Sequence, residues 1–130
     1  MLYDRPAIKR TIIRKIGSNR CQLCGEPSSV LDLHEIINRN RLGSRSRLEE
    51  LPIELHAIIC RRCNINEKRI KADSKQGRVR LLVANAQLYG LNRMVEILQP
   101  YKNLIEFEYE EFVNDDVFKN CDTPNTESFI

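Results

Sequence analysis

Ile8, Ile12, Ile13 and Ile16 recur three and four residues apart, the spacing that lines one face of a helix. Asp4 before Pro6 supplies a helix start and Gly17 a helix end, so the pattern predicts a first helix within residues 1–19. Val30 to Ile37 is rich in branched apolar residues and predicts a strand, and Ile53 to Ile59 predicts a second. Between them Asn38 to Glu50, NRNRLGSRSRLEE, is polar with four arginines and a glycine and reads as a loop. A helix is expected from Cys60 to Lys71. Beyond a hinge at Asp73 to Gly77, Val79, Leu81, Leu82, Leu88 and Leu91 predict another helix. Asn92 is placed to cap a last one carrying Val95, Ile97 and Leu98 before Pro100. Ile105, Phe107 and Tyr109 alternate with Glu106, Glu108 and Glu110, a strand pattern that equally suits a partner-binding tail.

At 130 residues the chain fits one modest domain with a tail, large enough for a core and small enough to profit from a staple. No apolar run approaches the roughly 18 residues of a membrane span, so a soluble protein with no membrane partner is expected. The start MLYDRPAIKR lacks the tripartite order of a secretory signal, which points to the cytoplasm, or the host cytoplasm for a phage-encoded protein. Thiols stay reduced there, and four of the five cysteines fall in two C-x-x-C pairs, favouring metal ligation over disulfides. The net charge of +3 hides an asymmetry. Residues 104–130 carry eight acidic side chains against one lysine, leaving about +10 on residues 1–103. A basic body attracts a polyanion such as nucleic acid, and an acidic tail repels or shields it; a solvated charged surface is the plainer alternative.

Cys21-x-x-Cys24 is followed after 35 residues by Cys60-x-x-Cys63. A tetrahedral zinc ion needs four ligands and each pair supplies two from one turn, with Gly25 letting the first turn close. Four protein ligands leave no position for water, so this zinc holds the fold and does no chemistry. Two unrelated pairs of buried cysteines is the competing reading. Cys121 lies outside the spacing and reads as an incidental thiol.

Between and after the pairs stand Leu33-His34-Glu35-Ile36-Ile37 and Ile58-Ile59-Cys60-Arg61-Arg62-Cys63-Asn64, with Lys68 following. This order resembles the HNH family, also called His-Me finger or ββα-metal nucleases, in its zinc-ribbon form, and especially small phage endonucleases with a His-Glu-Ile variant. The resemblance covers about residues 20–72, with a less specific likeness at Leu88-Tyr89-Gly90. It implies an α+β fold with a ββα-metal core, a four-cysteine zinc site and flanking helices, and a metal-dependent endonuclease that hydrolyses phosphodiester bonds in DNA. By the same resemblance His34 and Asn64 hold a catalytic divalent cation and Glu35 is the base that activates water. Mg2+ or Mn2+ suits hard oxygen ligands, and histidine ligation also admits Ni2+.

The chain departs from the family pattern in two places. Glu35 stands where the family normally has a histidine base, and a carboxylate of ordinary pKa near 4.3 is a weak base at neutral pH. An exchange of roles, with His34 as base and Glu35 on the metal, and a contribution from Asp32 are alternatives. On a regular strand Asp32 and His34 face one side and Glu35 the other, so His34 and Glu35 converge only at a strand end or bulge. The family's middle asparagine, which fastens the loop through backbone hydrogen bonds, aligns with Leu55 or His56; Asn38 and Asn40 are substitutes, and His56 reads as a partly buried residue or a catalytic assistant.

Arg39, Arg41, Arg45 and Arg47 in the expected loop, with Arg61, Arg62, Lys68, Arg69 and Lys71 after it, are placed to meet DNA phosphates, one of Arg61 and Arg62 being free to pack instead. The chain thus divides into a helix at 1–19, a nuclease core with zinc knuckles at 20–72, helices at 73–103 and an acidic tail at 104–130. Two other functions compete. A non-catalytic zinc-ribbon module that binds nucleic acid keeps the cysteines and basic residues without needing His34, Glu35 or Asn64. A phage assembly or packaging accessory docks a protein partner through the acidic tail.

Overall fold

The computed structural model describes residues 4–37, 51–65 and 70–119. Helix α1 spans Arg5–Ile16 and is bounded as its sequence dictates. The Asp4 carboxylate accepts the Ala7 N–H at 3.0 Å, and Gly17, at φ 86°, turns the chain out of the helix while its N–H bonds the Ile13 carbonyl. Ile12 is buried, and Ile8, Ile13 and Ile16 pack against the core from the same face.

Strands β1, Leu31–Glu35, and β2, His56–Cys60, form an antiparallel pair in the register Leu31↔Cys60, Leu33↔Ile58 and Glu35↔His56. β1 is shorter than the expected Val30–Ile37: Val30 is exposed, and Ile36 and Ile37 are buried beyond the strand's end. The expected second strand also starts late. Ile53–Leu55 form a 3-10 turn after Pro52, and the Ile36 N–H reaches the Leu55 carbonyl at 2.9 Å, so the two chains stay joined past the ladder. A two-stranded sheet is marginal alone. All five residues of β2 are buried, which requires helices on both of its faces.

Helix α2 is short, Arg61–Asn64, with Ile65 in the turn that follows it. Of the helix expected to run to Lys71, residues 66–69 lie outside the described residues, and the chain from Ala72 to Ser74 is a turn. Helix α3, Lys75–Tyr89, takes Ser74 as its N-cap, the hydroxyl accepting the Gly77 N–H at 3.0 Å. Gly77 therefore belongs to the first turn of α3 rather than to a hinge. It lies so close to the preceding chain that a Cβ there would stand 2.0 Å from the Lys71 carbonyl oxygen.

Helix α4, Leu91–Leu98, is capped by Gly90 at φ 102°, not by Asn92, because the positive φ turns the chain early enough for Asn92 to sit inside the helix. After a 3-10 segment, Gln99–Leu104, the alternating stretch that predicted a strand is helix α5, Glu106–Val113. Ile105, Glu108 and Phe112 are the positions it buries, a three-and-four spacing that a five-residue window mistakes for alternation. Glu108 can face the core because the Arg78 guanidinium meets it there. Tyr109 packs against the core too, so most of this apolar set is spent inside the molecule instead of on a partner. Helix α6, Asp116–Lys119, follows; residues 120–130, with Cys121, lie outside the described residues.

The core joins Ile58 and Ile59 of the sheet to Leu81 and Leu82 of α3, Met94 and Leu98 of α4, and Ile105 and Phe112 at α5, all fully buried. The chain is thus an α+β protein with a small antiparallel sheet, and no helix among its described residues is long and apolar enough to cross a membrane.

Candidate metal centre and the residues beside it

Cys21 and Cys24 sit on a tight turn before β1, Cys60 ends β2, and Cys63 lies in α2. The first turn is closed by the Gly25 N–H on the Cys21 carbonyl at 2.8 Å and by the Cys24 N–H on the Cys21 sulfur at 3.4 Å, with Gly25 at φ 81°. The Gln22 N–H, at 2.9 Å from the Ile58 carbonyl, hangs this turn on β2. The hairpin then brings the pairs together: Cys21 and Cys63 sulfurs are 3.7 Å apart, Cys24 and Cys60 sulfurs 3.9 Å, and all four lie within 4.8 Å of one another. Zinc–sulfur bonds of about 2.3 Å in a tetrahedron put sulfurs about 3.8 Å apart, so the set fits zinc, while a disulfide needs about 2.05 Å. Burial pushes the Cys63 thiol well up, whereas at Cys21 the effect of burial is outweighed by surrounding N–H groups and its pKa is lowered. Metal binding at such a set releases protons. Among the described residues it is the one group of three or more Cys, His, Asp or Glu side chains placed to share an ion.

His34 and Glu35 end β1. The strand is regular to its last residue, so the two side chains alternate, as the sequence implied. The Glu35 carboxylate stands 3.9 Å from the Arg5 guanidinium and opposite His56 in the ladder. The His34 Nε2 is buried and has no hydrogen-bond partner among the described residues. Burial lowers the pKa of His34 against the opposing pull of Asp73 and Glu35, so the ring is neutral at pH 7 and one nitrogen keeps a free lone pair.

Asn64 is held by Asp32. Its Nδ2 donates to Asp32 Oδ2 at 3.0 Å, leaving Oδ1 as its only atom able to ligate a cation. The same carboxylate takes Arg61 in a two-pronged pair, Nε to Oδ2 at 2.9 Å and Nη2 to Oδ1 at 3.2 Å. The Arg61 hydrogen bonds hold the Asp32 carboxyl below the usual carboxylate range. Asp32 thus ties β1 to the α2 turn through an ion pair with Arg61, whose side chain is itself largely exposed. Arg62 is exposed on the same turn. Arg39, Arg41, Arg45, Arg47, Lys68 and Arg69, with Asn38 and Asn40, lie outside the described residues.

His56 is fully buried, and its Nδ1 lies 3.0 Å from the Pro52 carbonyl, which makes it a structural residue of the turn. The backbone around it is fastened by a residue that sequence reasoning missed. Asn85, fully buried in α3, donates through Nδ2 to the Glu54 and His56 carbonyls, each at 2.8 Å. Its Oδ1 accepts from Gln22 Nε2 at 2.8 Å, and Gln22 Oε1 accepts the Ile58 N–H at 2.8 Å. One amide pair therefore joins α3, the Cys21–Cys24 turn and the entry to β2. The available signal was an asparagine set among Val83, Ala84 and Ala86 on a helix whose neighbours are core residues. No protein family, curated protein or solved structure matches the chain.

Proposed function

We propose that this protein is a zinc-stapled, HNH-type endonuclease that hydrolyses phosphodiester bonds in DNA with the help of a second, divalent cation. The observation that carries the reading is the placement of its motif: His34 and Glu35 end β1, β2 runs directly into the Cys60–Asn64 turn, and Asp32 bonds Asn64 across the two. The unpartnered His34 Nε2 and the Asn64 Oδ1 are the ligands that would hold Mg2+ or Mn2+, with Ni2+ admitted by the imidazole. Such a cation neutralises charge developing on the scissile phosphate. Asp32 orients Asn64 and stays ionised while doing so. Glu35 is the carboxylate the motif offers to take a proton from water, although it lies beside Arg5 on the other face of β1 from His34, and the neutral His34 is the alternative base.

A non-catalytic zinc module that binds nucleic acid is the second reading, favoured by the finding that among the described residues only the cysteines form a cluster of three or more metal-binding side chains. Cleavage of supercoiled plasmid by zinc-loaded protein separates the two. Nicking or linearisation that depends on added Mg2+, Mn2+ or Ni2+, and that is lost in His34→Ala and Asn64→Ala proteins of unchanged zinc content, is the expected result. Plasmid left intact under every metal, yet shifted by the protein, replaces the nuclease with the binding module.

A further inference from the structure

A divalent cation held by His34 Nε2 and Asn64 Oδ1 alone has two neutral ligands, whereas protein sites for Mg2+ and Mn2+ are built around carboxylate oxygens. The carboxylates of the motif are already engaged. Asp32 gives its two oxygens to Arg61 and Asn64, and Glu35 lies beside Arg5 on the face of β1 away from His34. Asp73, in the turn before α3, is different. Among the charged groups it acts most strongly on the His34 ring, ahead of Glu35, the ring's own chain neighbour. Coulomb attraction weakens with distance and with exposure to water. The Asp73 side chain is 58% exposed against 16% for Glu35, so Asp73 has its lead by standing closer to the ring.

The segment that carries Asp73 is firmly held. Ile70 and Ala72 pack on the core, and the Ser74 hydroxyl donates to the Lys71 carbonyl at 2.6 Å while accepting the Gly77 N–H at 3.0 Å. Gly77 lies against the Lys71 and Ala72 carbonyls too closely for a side chain. Arg78 then orients the carboxylate, its Nη1 donating to Asp73 Oδ1 at 2.9 Å, while Asp73 Oδ2 makes no hydrogen bond among the described residues. Arg78 and Glu108 are buried against one another, so the three groups together keep one negative charge, and Asp73 is where it meets solvent. We propose that Asp73 Oδ2 and His34 Nε2 together ligate the divalent cation, Asp73 supplying the anionic ligand that the motif lacks. The exposed side of Asp73 leaves the other positions on the ion to water and phosphate oxygens. The inference rests on the nuclease reading for the purpose of the cation, but its binding is measured apart from cleavage.

The test titrates Mn2+ into the full, zinc-loaded chain without DNA and follows the free ion by its EPR signal. Thiolates prefer zinc, so Mn2+ leaves the cysteine cluster alone. Asp73→Asn keeps an acceptor for Arg78 and removes only the charge; it is compared with wild type and His34→Ala, with zinc content and melting reporting that each fold is intact. Wild type should take up Mn2+ at a saturable site. Both variants should weaken it by at least about tenfold, the loss that a change in the outer shell of a metal site already brings. Wild-type affinity in Asp73→Asn overturns the site, and leaves the nuclease reading standing if wild type still cuts plasmid with added metal and His34→Ala does not. Wild-type affinity in His34→Ala puts the ion elsewhere and overturns the site too, as does a wild type that takes up no Mn2+. Uptake that needs both residues, in a protein that cuts nothing, supports the site and removes the nuclease.

Discussion

Replacing Asn85 by leucine tests the polar tie between α3 and the turn before β2. Leucine has the branched shape and the same number of side-chain heavy atoms as asparagine with bulkier methyl ends, so the change opens no cavity and removes the hydrogen bonds. Two buried carbonyls, of Glu54 and His56, lose donors at 2.8 Å, and Gln22 Nε2 loses its acceptor. Each buried group left unsatisfied costs about 1–3 kcal/mol. Gln22 is only half-buried and can turn its amide to water, so the two carbonyls carry the loss. Taking about 2 kcal/mol for each carbonyl, and offsetting about 1–2 kcal/mol gained from burying a larger apolar side chain, the net destabilisation is about 2–3 kcal/mol. In a domain of this size that lowers Tm by roughly 10 °C. Urea unfolding of zinc-saturated protein reads it directly. Asn85→Asp is the sharper companion, because it keeps an acceptor for Gln22 while pointing a carboxylate oxygen at the two carbonyls, and it should be worse than leucine. A leucine variant within about 0.5 kcal/mol of wild type, or an aspartate variant as stable as wild type, would refute the donor role.

Gly77→Ala should destabilise, reversing the gain of about 0.5–1 kcal/mol that the change brings inside most helices, because the new methyl would stand 2.0 Å from the Lys71 carbonyl and 2.8 Å from that of Ala72. A raised urea midpoint would mean that the Lys71–Ala72 backbone yields freely. Burial lowers the pKa of His56, with the Pro52 carbonyl opposing it, so the folded state holds the ring neutral while the unfolded chain protonates below about 6.5. Its contribution is complete above that pH and is lost as the pH falls from there toward the lowered folded value. His56→Asn should therefore lose stability less steeply than wild type between pH 7 and 5; His34 and the cysteine cluster are common to both proteins, and equal steepness counts against a neutral His56.

The features legible in the sequence are those whose physics is local. Asp4 and Pro6 mark the start of α1 and Gly17 its end, the two caps acting on residues no more than four positions away, and each C-x-x-C pair is a turn that presents two thiols whatever lies between the pairs. Residues 105–110 misled because over so short a window periods of 2 and 3.6 select overlapping positions. Only the burial of Glu108 by Arg78, 30 residues away in sequence, and of Phe112 fixes the helix. Asn85 was out of reach for the same reason: its partners Glu54, His56 and Gln22 are 31, 29 and 63 positions distant, and nothing near it in sequence foretells them. The Asp32 link to Asn64 likewise joins residues 32 positions apart, although the alternation of β1 already put Asp32 on the His34 side.

The hairpin and the cysteine cluster close the same ring twice. Glu35 pairs with His56 and the Ile36 N–H reaches Leu55, while Cys24 and Cys60 meet in the cysteine cluster. Both ends of the chain between Ile37 and Leu51 are thereby anchored by contacts that do not involve it. The clasp formed by the hairpin and the cysteine cluster therefore draws none of these contacts from residues 38–50, so the four arginines of that stretch can be rewritten in the sequence without removing any of them.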